Sequence, residues 1–300
     1  DWSDDLLGRC GLSRAQMPAL VEGSAVSGTL RDTLADRFGL PAGVPVAGGG
    51  GDNAASAIGV GVVRPGEAFV SLGTSGVLFA ADAAYRPAPE TAGHSFCHAL
   101  PGTWHQMGVI LAATDALNWL AQVMEADPAA LTDRLGPLQA PGAPVFLPYL
   151  GGERTPLNDA AFRGSFAGLD HATDRAALTR AVLEGVCFAL ADCQDALSAT
   201  GTRIESLTAV GGGSRSDYWL AALATALDQE IALPEGGEAG AAFGAARLGL
   251  MAATGAGAEI ATAPPIARRI ATDPALRVAF ADSHARYRAL RAAIGALPCT

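Results

Sequence analysis

VAGGGGDNAA, residues 46–55, joins a short apolar strand to a helix of small residues through four consecutive glycines. Glycine has no Cβ, so such a run lets the backbone and a ligand approach closely, although it costs conformational entropy on folding. A turn by itself rarely needs four glycines, and the carboxylate at their end, Asp52, is therefore a candidate for chemistry. The alternative is that Asp52 only caps a helix over Asn53–Val60, because aspartate is a favoured N-cap residue.

Two further glycine turns have the composition of ligand-binding loops. SLGTSG (71–76) joins predicted strands over Glu67–Leu72 and Val77–Ala80, and glycines flanking two hydroxyls at a hairpin tip can bind an anion. VGGGSRSDYW (210–219) places three glycines between a strand and a helix start, where the positive helix end favours negative groups. It does not match G-x-G-x-x-G, so a dinucleotide fingerprint is a poor fit. An ordinary hairpin turn and a tight strand-to-helix connection remain the alternatives.

The charge composition excludes several function classes. The chain has 300 residues, a net charge of −10 and 20 basic residues, all of them arginine. A Walker-type phosphate loop and Schiff-base chemistry both need lysine, so neither is present. The acidic balance argues against a nucleic-acid partner. No apolar run approaches the roughly 18 residues of a membrane span, and the acidic start does not resemble a secretory signal. We therefore expect no membrane partner.

The cysteines and histidines form no recognisable metal or disulfide pattern. The cysteines are Cys10, Cys97, Cys187, Cys193 and Cys299. Without a C-x-x-C pair they indicate free thiols in a reducing, cytoplasmic compartment, and Cys187 and Cys193 are predicted core residues. His94, His98 and His105 are expected to be ordinary loop or strand residues, because a Pro-Gly pair interrupts any helix that would align them. We predict no metal site built by the protein.

Strand-like and helix-like segments alternate along the chain, which predicts an α/β architecture. Besides the elements above, helices are predicted over Thr29–Phe38, Ala112–Glu125, Asp174–Ala199 (capped by Thr173), Ser216–Leu227, Ala241–Ala253 and Pro274–Ile294. Ala241–Ala253 is rich in small residues, so another element should pack closely on it. The last helix carries one apolar stripe on a polar background, which predicts core packing.

The chain resembles the carbohydrate kinases of the FGGY family in five motifs: GGGGDNAA (48–55), SLGTSG (71–76), LPYLGGERTP (147–156), LTRAVLEGV (178–186) and VGGGSRSDYW (210–219). ILAATDALNWL (110–120) fits the subgroup that phosphorylates D-xylulose better than the relatives that use glycerol or gluconate. The resemblance implies actin-like, ribonuclease-H-like domains with the active site in the cleft between them. It also implies transfer of the γ-phosphoryl group of ATP to a sugar hydroxyl, with Mg²⁺ held mainly by phosphates and waters.

The same resemblance assigns roles to individual residues. Asp52 corresponds to the general base that deprotonates the sugar hydroxyl, and Asp52 and Asn53 to sugar-binding residues. The nucleotide-binding positions are Gly73, Thr74 and Ser75 in the hairpin, Gly212 and Gly213 in the adenosine motif, Asp217 near the adenine, and Thr114 and Asn118 as further contacts. Glu153 and Arg154 match a family signature, but the resemblance assigns them no role.

The chain departs from the family pattern in length. Family members are longer, and their N-terminal Asp-x-Gly-Thr phosphate loop is absent here. We therefore expect a C-terminal portion of a sugar kinase, with residues 1–60 forming the tail of the N-terminal domain and residues 61–300 the C-terminal nucleotide-binding domain. Such a chain should bind nucleotide weakly and catalyse poorly or not at all by itself.

Two alternatives stay open at the level of function. One is a kinase for another sugar or polyol (ribulose, fuculose, gluconate or glycerol), because most of the sugar pocket lies outside this sequence. The other is a non-catalytic nucleotide-binding module, which would have little reason to keep a carboxylate after four glycines. Homodimers are common in the family, but the sequence carries no interface signature.

Overall fold

The structure, a computed structural model, describes residues 1–236 and 240–297. Cys299, a predicted free thiol, lies outside the described residues. The strands are β1 (Val26–Thr29), β2 (Pro45–Ala47), β3 (Glu67–Leu72), β4 (Gly76–Asp82), β5 (His94–Cys97), β6 (Trp104–Ile110), β7 (Val145–Leu147), β8 (Ser165–Ala167), β9 (Ser206–Val210), β10 (Ile231–Pro234) and β11 (Ile266–Ile270). The helices are α1 (Asp4–Arg9), α2 (Asp32–Phe38), α3 (Asp52–Val60), α4 (Thr114–Val123), α5 (Pro128–Asp133), α6 (Arg175–Ala199), α7 (Asp217–Leu227), α8 (Gly240–Thr254) and α9 (Arg277–Gly295).

Seven strands form a mixed sheet in the order β11-β10-β9-β3-β4-β6-β5. Strands β3, β9 and β10 run parallel, and the other neighbours are antiparallel. β1 pairs with β2, and β7 with β8, in separate two-stranded sheets. The combination of this sheet with helices on both its faces confirms the predicted α/β class.

The core lies on both faces of the main sheet, because successive strand residues point to opposite sides. Phe69 and Phe79 stack with ring centroids 4.8 Å apart and pack with Ala57 of α3. Val70 and Leu78, one position along each strand, pack on the other face in the cluster that contains α4, α6 and α7. Both faces are therefore dry, which explains why β4 is apolar from Val77 to Ala81.

Helix α6 is the longest element and runs through the larger core. Its middle turns are buried, including Cys187 and Cys193, which confirms both as core residues. The prediction that Thr173 caps this helix is wrong. Asp174 is the N-cap and accepts the Ala177 N–H at 2.8 Å, whereas the Thr173 hydroxyl bonds to Asp170.

Helices α3 and α8 cross at closely packed glycines. A Cβ on Gly244 would lie 1.7 Å from the Ala55 carbonyl oxygen, and one on Gly59 would lie 1.9 Å from the Gly240 carbonyl oxygen. Arg247 adds guanidinium hydrogen bonds to the carbonyls of Ile58 (2.8 Å) and Gly59 (3.1 Å). The predicted close packing on the small residues of 241–253 is confirmed.

Other sequence predictions differ from the structure in detail. The helix predicted from Thr29 begins at Asp32, because Thr29 closes strand β1, which pairs with β2. Strand β6 was not predicted, since WHQMGVI alternates poorly, yet it pairs on both sides within the sheet. The stripe on α9 packs into the core through the buried side chains of Phe280 and Tyr287, as predicted. Among the described helices, none combines the length and apolarity needed to span a bilayer.

Candidate active site

Two of the glycine turns lie at the same edge of the sheet. β3 and β9 are parallel neighbours with Ser71 opposite Val210, so the segments that follow them leave the sheet side by side. After β3 comes the predicted hairpin 73–75, which is confirmed, and after β9 comes a short helical turn over Gly212–Arg215. Ligands of open α/β sheets bind at the carboxyl ends of parallel strands, which is where these turns lie.

Thr114 connects the hairpin to the start of α4. Its backbone N–H and its hydroxyl both donate to the Gly73 carbonyl, at 2.9 and 2.8 Å. The Ala113 N–H donates to the Thr74 carbonyl at 2.8 Å. The amides at the N-terminus of α4 thus hold the hairpin carbonyls, and the Thr114 hydroxyl contributes to this support.

A cavity of 330 Å³ opens between the second glycine turn, α4 and α5. It brings together four predicted nucleotide-binding residues: Thr114, Asn118, Gly212 and Gly213. The other lining residues are Leu117, Pro128, Ala129, Thr132, Asp133, Arg215, Ser216 and Trp219. Thr114, Leu117 and Asn118 share one helix face by their spacing, a signal available in the sequence. The α5 residues follow no motif and were missed.

The three glycines of the 211–213 turn differ in whether the structure requires glycine at their position, and why. Gly211 has φ +89°, a conformation that side chains disfavour. A Cβ on Gly213 would lie 2.8 Å from Leu72 Cβ and 3.0 Å from the Trp219 ring, so internal packing requires this glycine. A Cβ on Gly212 would have no described atom within 4 Å. Of the two predicted adenosine-motif glycines, Gly212 is therefore the one with open space before it.

Asp217 lies in the first turn of α7, where its carboxylate forms an ion pair with the guanidinium group of Arg268. Its carboxylate accepts a 2.5 Å hydrogen bond from Arg268 of β11, which holds the pKa of Asp217 below its ordinary value. Ser216, the N-cap of α7, lines the cavity, whereas Asp217 is not among its described lining residues. The structure thus shows an ion pair at this position beside the cavity.

The four-glycine turn is held by close backbone packing. A Cβ on Gly48 would lie 2.4 Å from the Glu22 carbonyl oxygen, and one on Gly50 would lie 3.1 Å from Ala99 Cβ. Gly49 has φ +77°, and only Gly51 has neither restriction. The open position therefore directly precedes Asp52.

Asp52 is not the N-cap of α3, which corrects the alternative interpretation of this residue. Gly51 occupies the cap position, and Asp52 is the first helical residue. The Asp52 carboxylate is exposed and accepts the backbone N–H of Asn53 at 2.8 Å and its side-chain amide at 3.2 Å. The carboxylate is accordingly oriented by its neighbour and accessible to a ligand.

Asp52 and Asn53 are not among the described residues that line the cavity. Helix α3, which carries both, packs on the sheet face opposite to α4. The structure thus brings four of the predicted nucleotide residues to one cavity, with the hairpin 73–75 bonded to the same helix. Asp217, Asp52 and Asn53 lie outside the described cavity lining.

Glu153 is a functional candidate to which sequence reasoning assigned no role. It is 3% exposed, and burial raises its pKa to about 7, although the N–H groups of Leu111 and Arg154 donate to it. His94 and His105 lie on β5 and β6 and His98 directly follows β5, in agreement with the prediction that they are ordinary loop or strand residues. The described residues contain no group of three or more His, Cys, Asp or Glu side chains placed to hold a metal ion.

Comparison with known families identifies the fold. The model of the C-terminal domain of the FGGY family of carbohydrate kinases matches residues 68–253, and the model of its N-terminal domain matches residues 1–59.

The chain belongs to the FGGY family of carbohydrate kinases.

Several relatives of this FGGY chain are xylulose kinases. The chain is 49% identical over 255 residues to the xylulose kinase of Escherichia coli K12, covering 84% of this chain and 52% of that protein. The crystal structure of a xyloylose kinase from Brucella ovis superposes with a TM-score of 0.96 at 61% identity, covering 99% of this chain and 62% of that one. The xylulose kinase structure from Rhodospirillum rubrum gives 0.85 at 30% identity, covering 98% and 60%. The predicted sugar-kinase fold is confirmed, and the chain spans about half the length of the curated relatives it matches.

Proposed function

We propose that this chain supplies the nucleotide site and the general base of a kinase that transfers the γ-phosphoryl group of ATP to a sugar hydroxyl, with D-xylulose as the substrate. The observation that carries the proposal is the cavity between the second glycine turn and α4. It unites four residues that the resemblance predicted to bind nucleotide, and the adjacent hairpin is bonded to the same helix.

The chemistry of phosphoryl transfer fits these residues. The reaction needs positioning, electrostatic stabilisation and a base for the attacking hydroxyl, and it needs little covalent chemistry from the protein. The hairpin 73–75 would hold phosphate oxygens through its N–H and hydroxyl donors. The exposed carboxylate of Asp52 would take the proton from the sugar hydroxyl, and Asn53 would contact the sugar. Mg²⁺ would arrive with ATP and be held mainly by phosphates and waters.

The relatives support xylulose over ribulose, fuculose, gluconate or glycerol, because the similar proteins described above are xylulose kinases. We further propose that residues 1–60 complete an N-terminal domain and residues 61–300 form the nucleotide-binding domain. By itself, this chain should bind nucleotide weakly and turn over sugar poorly or not at all. The described cysteines are all free, which supports the proposed reducing, cytoplasmic compartment.

The nucleotide site is tested by calorimetric titration of the chain with Mg·ADP, beside a Gly212→Asp variant. Gly212 has open space in front of it, so the new side chain should fit the fold and place a charged carboxylate where the nucleotide would lie. Gly142→Asp is the matched control, because Gly142 lies in an exposed loop and a Cβ there meets only Pro144 at 3.5 Å.

We expect saturable binding by the parent and the control, and loss of binding by Gly212→Asp. Equal binding by all three chains would show that the nucleotide does not lie at this turn. Absence of binding by the parent would count against a nucleotide site in the isolated chain.

A further inference from the structure

The side chain of Glu153 is a buried carboxyl group, and only one of its two oxygens accepts hydrogen bonds from the described residues. Oε1 accepts the backbone N–H of Leu111 at 2.9 Å and that of Arg154 at 2.8 Å. Oε2 has no hydrogen-bond partner among the described residues. Burying a carboxyl group is costly unless its bonds compensate, so the two N–H bonds are the evident reason for this residue in the core.

The segment that carries Glu153 is joined to the end of β6. The Thr155 N–H donates to the Val109 carbonyl at 3.0 Å, and the Val109 N–H donates to the Thr155 hydroxyl at 3.1 Å. The bond from Leu111 to Glu153 extends this attachment two residues further along the chain. The end of β6 and the first residue of the following loop are therefore held on one side by residues 153–155.

The same loop holds the hairpin at its other end. From Leu111 the chain reaches Ala113 and Thr114, whose N–H groups donate to the carbonyls of Thr74 (2.8 Å) and Gly73 (2.9 Å). The position of the hairpin carbonyls thus depends on the path of residues 111–114. Glu153 supplies the hydrogen-bond acceptor at the start of that path.

We propose that Glu153 is a positioning residue for the phosphate-binding hairpin 73–75. It fixes the Leu111 amide and thereby the Ala113 and Thr114 amides on which the hairpin rests. The inference depends on the proposed function, because it assumes that the hairpin binds nucleotide phosphates. Glu153 itself need not touch the nucleotide.

The experiment compares Glu153→Ala, which removes the acceptor, with Glu153→Gln, which keeps an acceptor oxygen of the same reach. Asp82→Ala is the control. Asp82 is also buried and accepts the Ala84 N–H at 3.0 Å and the Thr202 hydroxyl at 2.8 Å, but it ends β4 at the far end from the hairpin. Each 300-residue chain is titrated with Mg·ADP, and amide hydrogen exchange is measured at Leu111, Ala113 and Thr114.

We expect Glu153→Ala to weaken Mg·ADP binding about 10-fold, in line with the loss of the two buried backbone hydrogen bonds that this side chain accepts. Exchange should accelerate at the three amides in this variant, while Glu153→Gln and Asp82→Ala should keep parental affinity and exchange there. Should Glu153→Ala fail to fold, Glu153→Leu, which fills the volume without an acceptor, takes its place.

The proposal would be overturned if Glu153→Ala, or Glu153→Leu in its place, kept the parental affinity for Mg·ADP and the parental amide exchange. It would also be overturned if Glu153→Gln weakened binding as much as Glu153→Ala does. If the parent chain binds no Mg·ADP, the proposed nucleotide site fails. The exchange rates of the three amides would then still decide whether Glu153 holds the hairpin.

Discussion

The crossing of α3 and α8 predicts opposite effects for the same substitution at two glycines of one helix. Gly244 is buried, and a Cβ there would lie 1.7 Å from the Ala55 carbonyl oxygen and 2.9 Å from the Gly59 nitrogen. Gly249 lies on the same helix, and a Cβ there meets no described atom within 4 Å. Alanine is therefore overpacked at one position and freely accommodated at the other.

The magnitude follows from the distances. Ordinary van der Waals contact of a Cβ begins near 3.4 Å, so Gly244→Ala requires the helices to separate by about 1.7 Å. Both atoms it meets belong to the α3 backbone, which cannot rotate away as a flexible side chain would. Overpacking costs 1–3 kcal/mol and occasionally more, and we expect about 3 kcal/mol or more here. Gly249→Ala should stabilise the fold by about 0.5–1 kcal/mol through helix propensity. The two variants should differ by about 4 kcal/mol in free energy of unfolding.

The assay is urea unfolding of the parent and both variants, monitored by circular dichroism. The midpoint should fall for Gly244→Ala and rise slightly for Gly249→Ala, with similar slopes. Equal midpoints for the two variants would refute the close crossing of α3 and α8. A lower midpoint for Gly249→Ala would show that this position is not open.

Two further predictions concern carboxylates. In a full-length sugar kinase that contains this segment, the proposed role of Asp52 predicts that Asp52→Asn lowers kcat by several orders of magnitude while ATP affinity stays nearly parental, because the change removes the proposed base and keeps its shape. Near-normal turnover would contradict the assignment of Asp52. Burial raises the pKa of Glu184 to about 8, from about 4.5 in the unfolded chain. The folded state therefore holds this proton more tightly than the unfolded state. The resulting contribution to stability is complete below about pH 4.5 and is lost as the pH rises to about 8. The unfolding free energy of Glu184→Gln should therefore fall less steeply than that of the parent between about pH 5 and about pH 8, whereas the exposed control Glu90→Gln should follow the parent. Identical pH profiles for the parent and Glu184→Gln would contradict the raised pKa.

Much of the local structure could be predicted because its cause is local. The hairpin at residues 73–75 follows from glycines and hydroxyls between two apolar strands. The helix predicted over Ser216–Leu227 follows from a glycine turn before an apolar segment, and the structure shows it from Asp217 to Leu227. The N-cap of α6 was predicted one residue too early, at Thr173, because Thr173 and Asp174 are adjacent and both can cap a helix. The sequence alone does not show which of the two side chains accepts the free backbone N–H of the first helical turn.

Non-local pairing explains the elements that were missed. Strand β6 depends on hydrogen bonds to β4 and β5, and its own residues alternate weakly because both faces of the sheet are covered. The α5 wall of the cavity has no motif, because its residues take part only through their place in the fold.

The sequence by itself determined the order and chemistry of the glycine turns, the absence of a lysine-based phosphate loop and the family of the fold. Only the tertiary structure separated Gly213, which internal packing requires, from Gly212, which faces open space. Only the structure showed that Glu153 accepts the Leu111 N–H in the loop that supports the hairpin. Only the structure showed the burial that raises the pKa of Glu153 to about 7. The physical reason is that turn geometry depends on neighbouring residues, whereas burial, close approach and pKa depend on elements that are distant in the chain.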